Sequence, residues 1–310
     1  MIRVDGTGNR PARLPLAPLA LAPRNEAPPM SETSQLFQTL CELTQMPEGS
    51  GAPPDDVARF IGLEFAPSFI RSSAFGGRLI NAHRMSGGFI ATQAPLESAL
   101  GPFADMLASE AGLVVDLTTL SDRVFRSLVD YCPGKSHEIG NLPGCVTFHA
   151  DAVAPLEYPM PADSLRKRLH VSVRTDAGES KATLEVLNVP IPDSSGLAPF
   201  ALNAVVDYVA HWQHAHPNKT VVVHCSAGVG RTGLLIAACL LKEAHRSGQL
   251  HEGSLKDVVK DIVLKLRAER CSIMVQSEEQ LAALLGYGRQ LASGQLGASP
   301  APQRAEHPTP

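Results

Sequence analysis

The chain has 310 residues, and its 27 Lys and Arg against 31 Asp and Glu leave a formal net charge of −4, so it lacks the basic footprint of a nucleic-acid binder. Its six cysteines (Cys41, Cys132, Cys145, Cys225, Cys239 and Cys271) make no CxxC pair and no regular framework, which argues against a zinc finger and against a secreted disulfide scaffold. No apolar run approaches the ~20 residues of a membrane span, and a core of this size needs no disulfides.

Residues 1–30, rich in Pro, Ala and Arg, read as a disordered tail. Within it LPLAPLALAP resembles the core of a signal peptide, but three prolines break the run. Residues 31–54 give a helix, marked by Leu36, Phe37, Leu40 and Leu43, and a linker; 55–292 form one domain; 293–310 form a second Pro-rich, disordered tail. Inside the domain, 96–110 reads as a helix ended by Gly112, and LVVDL follows as a buried strand. Strands are predicted at 168–174 and 183–189, a helix at 198–214, a strand at 220–224, helices at 231–246 and 254–268, and a last helix from Ser277. The expected fold is α/β: a twisted mixed central sheet flanked by helices, with chemistry at the carboxyl end of a strand.

The chemistry centres on VVVHCSAGVGRTG, residues 221–233. A β-branched run leads into Cys225, then a turn of Ser226, Ala227, Gly228, Val229 and Gly230, then Arg231 and Thr232 at the head of an apolar helix. This order aims a thiol, a run of backbone N–H groups and a guanidinium at one point before a helix N-terminus, where a phosphate dianion is favoured and a thiolate stabilised. Gly228 and Gly230 are expected to take positive φ and form an anion nest. Small Ser226 and Ala227 let the turn close, the Arg231 fork holds two oxygens, and the Thr232 hydroxyl is placed to donate to a departing sulfur. His224 either bonds the loop carbonyls and tunes Cys225 or simply fills core space as a neutral imidazole. Residues 228–233 also match GxGxxG, the dinucleotide fingerprint, which requires a second strand ending in an acid about 20 residues on. Leu255, Val258, Val259, Ile262 and Leu266 instead recur at helical spacing there, and that reading fails. A nucleophile inside a phosphate seat implies phosphoryl transfer to sulfur.

HCSAGVGRTG resembles the phosphate-loop signature of the cysteine-dependent protein tyrosine phosphatases. Residues 80–82 (INA) with 89–96 (FIATQAPL), 131–133 (YCP), 267–270 (RAER) and 274–276 (MVQ) are similar to further motifs of that family, so the resemblance covers about residues 55–292. SIMVQSEEQLAALLGYGRQLASGQ is closest in style to phosphatases that bacteria inject into host cells. The resemblance implies a thiolate nucleophile at Cys225, a phosphate clamp at Arg231, and a general acid at Asp193, 32 positions earlier in PIPDSSG. On its own PDSSG reads as an Asx turn. Pro192 would restrict the acid loop and Gly196 would hinge it, while Ile191 stands where the family carries tryptophan.

The resemblance also places Gln276 to orient the water that hydrolyses the phosphocysteine; Gln280 either assists or merely completes a capping box with Ser277. Asp122 either pairs with Arg231 or caps a helix. His211, His214 and His216 are expected as solvated or dipole-paired side chains at a helix end, with no metal. The phosphotyrosine ring would stack on Phe65 or Phe69, unless both are core. The implied substrate is a phosphotyrosine-containing protein, with no cofactor, no nucleic acid, no membrane span and a monomeric chain. A working thiolate requires a reducing, cytoplasmic compartment, which secretion by bacteria into a host cytoplasm would also supply. The alternatives are a dual-specificity or phosphoinositide phosphatase, against which the loop's lack of lysine speaks, and a catalytically silent phosphotyrosine-binding module.

Overall fold

Parallel strands at the centre of one twisted sheet carry the cysteine to its place. The computed structural model describes residues 30–52, 63–126, 128–132, 137–139, 145–152, 160–176 and 178–296; the tails expected at residues 1–29 and 297–310, and Pro133 of the YCP motif, lie outside them. All elements fall in the unit Glu32–Pro310. In chain order they are α1 (Glu32–Leu43), β1 (Ile70–Ser72), β2 (Arg78–Ile80), β3 (Ala82–Met85), β4 (Phe89–Gln93), α2 (Leu100–Glu110), β5 (Ala111–Asp116), α3 (Leu120–Phe125), β6 (His137–Ile139) and β7 (Cys145–Ala152). Then follow β8 (Leu165–Thr175), β9 (Gly178–Asn188), α4 (Pro199–Ala215), β10 (Thr220–Cys225), α5 (Gly230–Arg246), α6 (Leu255–Glu269) and α7 (Glu278–Ala292).

Eight strands form one sheet in the order β3-β4-β10-β5-β9-β8-β7-β6, and β1 pairs with β2 apart from it. β4, β10, β5 and β9 run parallel, while β3 and the β9-β8-β7-β6 flank are antiparallel. The parallel strands are apolar on both faces because both are covered. Val221 and Val223 of β10, Leu113 and Val115 of β5, and Phe89 and Ala91 of β4 join the core under α1 and α4 to α7. Val222, Val114 and Ile90 point the other way, into the core under α2. α5 is buried almost all round, which is why LLIAACLL carries so few polar residues. The β8–β9 hairpin continues the second core through Leu169, Val171, Val173, Leu184 and Val186; its other face is polar except for Leu187 of β9, which joins the first core.

The predicted helices and strands are all present, with bounds moved by a few residues at most for the helices, while β8 and β9 are longer than expected. Gly112 is a correction. The helix ends at Glu110 and Gly112 lies inside β5, where a Cβ would stand 2.6 Å from the Trp212 ring and 2.8 Å from Lys219 Cβ. Glycine is there because α4 comes close, not to stop a helix. Among the described residues no helix is long and apolar enough to cross a membrane.

Candidate active site

β10 ends on Cys225 and α5 begins at Gly230, so the intervening turn sits at the carboxyl edge of the sheet, between β4 and β5. Its carbonyls are held from outside. The Ala94 amide donates to Cys225 O and Ser226 O, both at 3.1 Å. Arg270 donates through Nε to Gly228 O (2.6 Å) and through Nη2 to Ala227 O (3.3 Å). Across a trans peptide the N–H points opposite to the C=O, so the amides that follow these carbonyls face away from Ala94 and Arg270. Val229, the N-cap of α5, makes no side-chain cap bond, so no cap side chain takes up the first-turn N–H groups of that helix.

Gly228 has φ +69°, and a Cβ there would lie 2.0 Å from the Thr92 carbonyl oxygen of β4. Gly230 is not in the left-handed region, contrary to expectation. Its need is space: a Cβ would come within 2.9 Å of Gln280 Nε2 and 3.1 Å of Gln276 Cβ.

Arg231, 1% exposed, is fixed by a two-point clamp, Nη1 to Asp122 Oδ2 at 2.6 Å and Nη2 to Asp122 Oδ1 at 3.0 Å. Nη1 also donates to the carbonyls of Ile191 (2.8 Å) and Leu117 (3.2 Å). Asp122 therefore pairs with Arg231, and it is not the N-cap of α3. Thr119 is that cap, and Asp122 closes the capping box from the third helical position. Burial pushes the Asp122 carboxyl up, but hydrogen bonds from Arg231 and Thr119 outweigh it and hold the group at about 2. Among the described residues, Arg231 Nε, Ser226 Oγ and Thr232 Oγ1 are buried with no partner in the protein. Three orphan donors beside a thiol suit an oxyanion.

Asp193 reaches this group from the far side. Its Oδ1 lies 3.2 Å from Arg231 Nη2, and its Oδ2 accepts from Arg126. Ile191 is buried below and supplies the carbonyl that Arg231 grips, so the residue replacing tryptophan is an anchor in the core. Gly196 has no positive φ; a Cβ there would meet Ala283 Cβ at 2.4 Å, so close packing on α7 accounts for the glycine.

Gln276 is exposed beside the loop, after Val275, which is held at φ +58°. Ser277 caps α7 by accepting from the Gln280 amide (3.2 Å), but the return bond of a capping box is not made. The Gln280 side chain, 1% exposed, instead accepts from the Gln276 amide at 2.8 Å. It therefore positions Gln276.

His224 is buried and does both things considered for it, filling the core and bonding the loop. A carbonyl only accepts, so Nδ1 carries the hydrogen toward Cys225 O (3.2 Å) and Nε2 accepts from the Tyr131 hydroxyl (2.6 Å). Burial lowers its pKa and keeps the ring neutral. Phe65 is core, under the Arg270 guanidinium at 5.3 Å; Phe69 is half-buried against the His83 ring at 4.5 Å. The three histidines near the end of α4 are not gathered: His216 stacks on Trp212, and among the described residues no three His, Cys, Asp or Glu are placed to hold a metal ion.

Sequence reading gave no role to Arg126, Arg270 or His83. His83 donates through Nε2 to Ala66 O (2.9 Å) and accepts at Nδ1 from Arg270 Nη1 (2.9 Å); burial first, and Arg270 second, hold it at about 3. The only signal for Arg270 was its place in the RAER motif, which says nothing of what it touches.

The protein-tyrosine phosphatase family model matches residues 70–286. The chain is 29% identical over 215 residues to the human (Homo sapiens) receptor-type tyrosine-protein phosphatase eta, covering 66% of this chain and 15% of that protein. It is 28% identical over 222 residues to the tyrosine-protein phosphatase YopH of Yersinia enterocolitica, covering 65% of this chain and 45% of that one. It thus spans less than half the length of these two relatives. The solved structure of Trypanosoma brucei protein tyrosine phosphatase TbPTP1 superposes with a TM-score of 0.67 at 22% identity, over 86% of this chain and 92% of that one, a likeness of fold.

Proposed function

The chain belongs to the protein-tyrosine phosphatase family, and we propose that it hydrolyses phosphotyrosine in proteins through a phosphocysteine intermediate. The observation that carries this reading is the convergence on one turn of Cys225 at its start, loop carbonyls clamped from outside, and an Arg231 held by Asp122 whose Nε has no protein partner among the described residues. Phosphate oxygens take the loop amides and the Arg231 fork; the Cys225 sulfur attacks phosphorus in line as the bond to the tyrosine oxygen breaks. Asp193, one ion-pair distance from Arg231, gives its proton to that oxygen. Water, oriented by Gln276, then attacks the thiophosphate; Asp193 takes the water's proton, the S–P bond breaks with Thr232 donating to the sulfur, and phosphate leaves.

The test compares the wild type with Cys225→Ser and Asp193→Ala on phosphotyrosine, phosphoserine and inositol-phosphate substrates. Turnover confined to phosphotyrosine, abolished by the serine variant and lowered about 10²-fold or more by the alanine variant, is expected. Unchanged rates in either variant refute the assignment. We further propose a monomer acting in a reducing compartment as a bacterial effector secreted into a host cytoplasm, with a part in virulence. The style of residues 272–295 and a Yersinia phosphatase among the relatives support that reading. A reporter fusion that never leaves the producing cell would defeat it.

A further inference from the structure

The acid loop lies along α7 as well as over the arginines. Ser277 Oγ donates to the Ser194 carbonyl at 2.8 Å and accepts from the Gln280 amide at 3.2 Å, so one hydroxyl spends its hydrogen on the loop and a lone pair on the helix. Ser194 stands at φ +59°, a left-handed conformation that a residue with a side chain keeps where its surroundings hold it. Two residues on, Gly196 closes against Ala283 and the Glu279 carbonyl (2.4 and 3.1 Å from an added Cβ), and Pro199 Cγ would stand 3.6 Å from a Cβ added at Gly286 of α7. On its other side Ser277 is joined directly to Gln276, whose amide Gln280 fixes at 2.8 Å. The acid of the first step and the glutamine of the second thus meet at one serine.

We propose that Ser277 is the latch of the acid loop, a positioning residue whose hydroxyl, by donating to Ser194 O, holds Asp193 over Cys225 and registers that closure against Gln276. The inference rests on the phosphatase reading above and adds to it what keeps the acid in place. Its cap and latch functions separate by chemistry. Ser277→Asp keeps an acceptor for the Gln280 amide but has no hydrogen to give; Ser277→Ala removes both; Ser277→Thr keeps both.

A phenol with the tyrosine pKa of about 10 needs a proton on leaving, whereas an activated aryl phosphate with an acidic phenol does not. For the Asp and Ala variants kcat/KM should fall about ten-fold on a phosphotyrosine peptide and less than about two-fold on the activated substrate, with the Thr variant restoring both. An Asp variant equal to the wild type on phosphotyrosine overturns the latch, because only the cap would then matter. Equal losses on both substrates overturn it too. Hydrogen exchange over residues 190–198 with tungstate bound reads the latch without turnover: the Asp variant should exchange faster than the wild type, and identical exchange overturns the proposal. A wild type inactive on phosphotyrosine would sink the phosphatase reading while the exchange result still decided the latch.

Discussion

Replacing Asp122 with asparagine isolates the clamp on Arg231. The carboxyl is 5% exposed and held at about 2, against an ordinary value of 3.8. At 1.36 kcal/mol per pKa unit, that displacement makes the ionised carboxyl worth about 2.5 kcal/mol to the folded state. Because the folded value is the lower one, this stability is present above pH 3.8 and is lost as the pH falls toward about 2. Asparagine keeps the shape and one acceptor but not the charge, so the variant should be about 2 kcal/mol less stable at neutral pH. That gap should close as acid removes the same charge from the wild type. Paired urea unfolding at about pH 7, 5, 3.5 and 2.5 measures it, since every other group titrates alike in the two proteins. A gap that stays constant with pH, or never exceeds about 0.5 kcal/mol, refutes the reasoning. The same loss of aim at Arg231 should lower kcat/KM by about 30-fold, the kinetic equivalent of about 2 kcal/mol.

Gly228→Ala places a methyl 2.0 Å from the Thr92 carbonyl oxygen at positive φ; since the two nearest atoms are backbone and cannot swing aside, tungstate binding should weaken at least about ten-fold, and an alanine variant that binds normally contradicts the close approach. Arg270→Lys cannot span Gly228 O, Ala227 O, Asn81 and His83 at once, so calorimetry should show a lower melting temperature with tungstate affinity falling as well; a variant that loses stability alone would limit Arg270 to packing. His83 stays neutral in the fold down to about 3 but takes a proton when unfolded near 6.5, so stability should drop as pH falls below 6.5, by up to about 1.4 kcal/mol per unit. His83→Gln, which can keep one donor and one acceptor, should flatten that slope in urea titrations, and an unchanged slope would assign it to other groups.

What could be read in advance was local in the chain. The run from β10 through the turn into α5 declares itself because strand, glycines, arginine and helix are consecutive, and α4, α6 and α7 show their apolar period. β1 to β4 carry short or fully buried runs with no clean alternation, so none is legible as a strand; the family likeness touches only residues 80–82 and 89–93 of this stretch, as motifs. Gly230 and Gly112 look in sequence like turn and stop signals; both are glycine because another element approaches, Gln280 in one case and Trp212 in the other. Asp122 was found with its role left open, because a short helix start and a salt-bridge partner look alike until Arg231 is placed 109 positions later. Arg270 supports the loop from 42 positions away, through carbonyl oxygens that have no residue-type signature at all.

Those carbonyls bear on how a chain of net charge −4 would hold the dianion of the proposed reaction. Arg231, Arg267 and Arg270 are each at most 1% exposed, yet only Arg231 has a carboxylate partner among the described residues. Arg267 donates to the carbonyls of Met274 and Leu40 and to the Thr44 hydroxyl, and Arg270 to carbonyls, Asn81 and neutral His83. Dipoles satisfy their hydrogen bonds without cancelling their charge. Burial lowers both arginines, Arg270 to about 10, which leaves it cationic at neutral pH. The charge of Arg270 is therefore held against the loop carbonyls, where burial leaves it little screened by solvent, whatever the overall charge of the chain. An anion bound at the loop would supply Arg270 with the countercharge that its carbonyl, Asn81 and His83 partners do not.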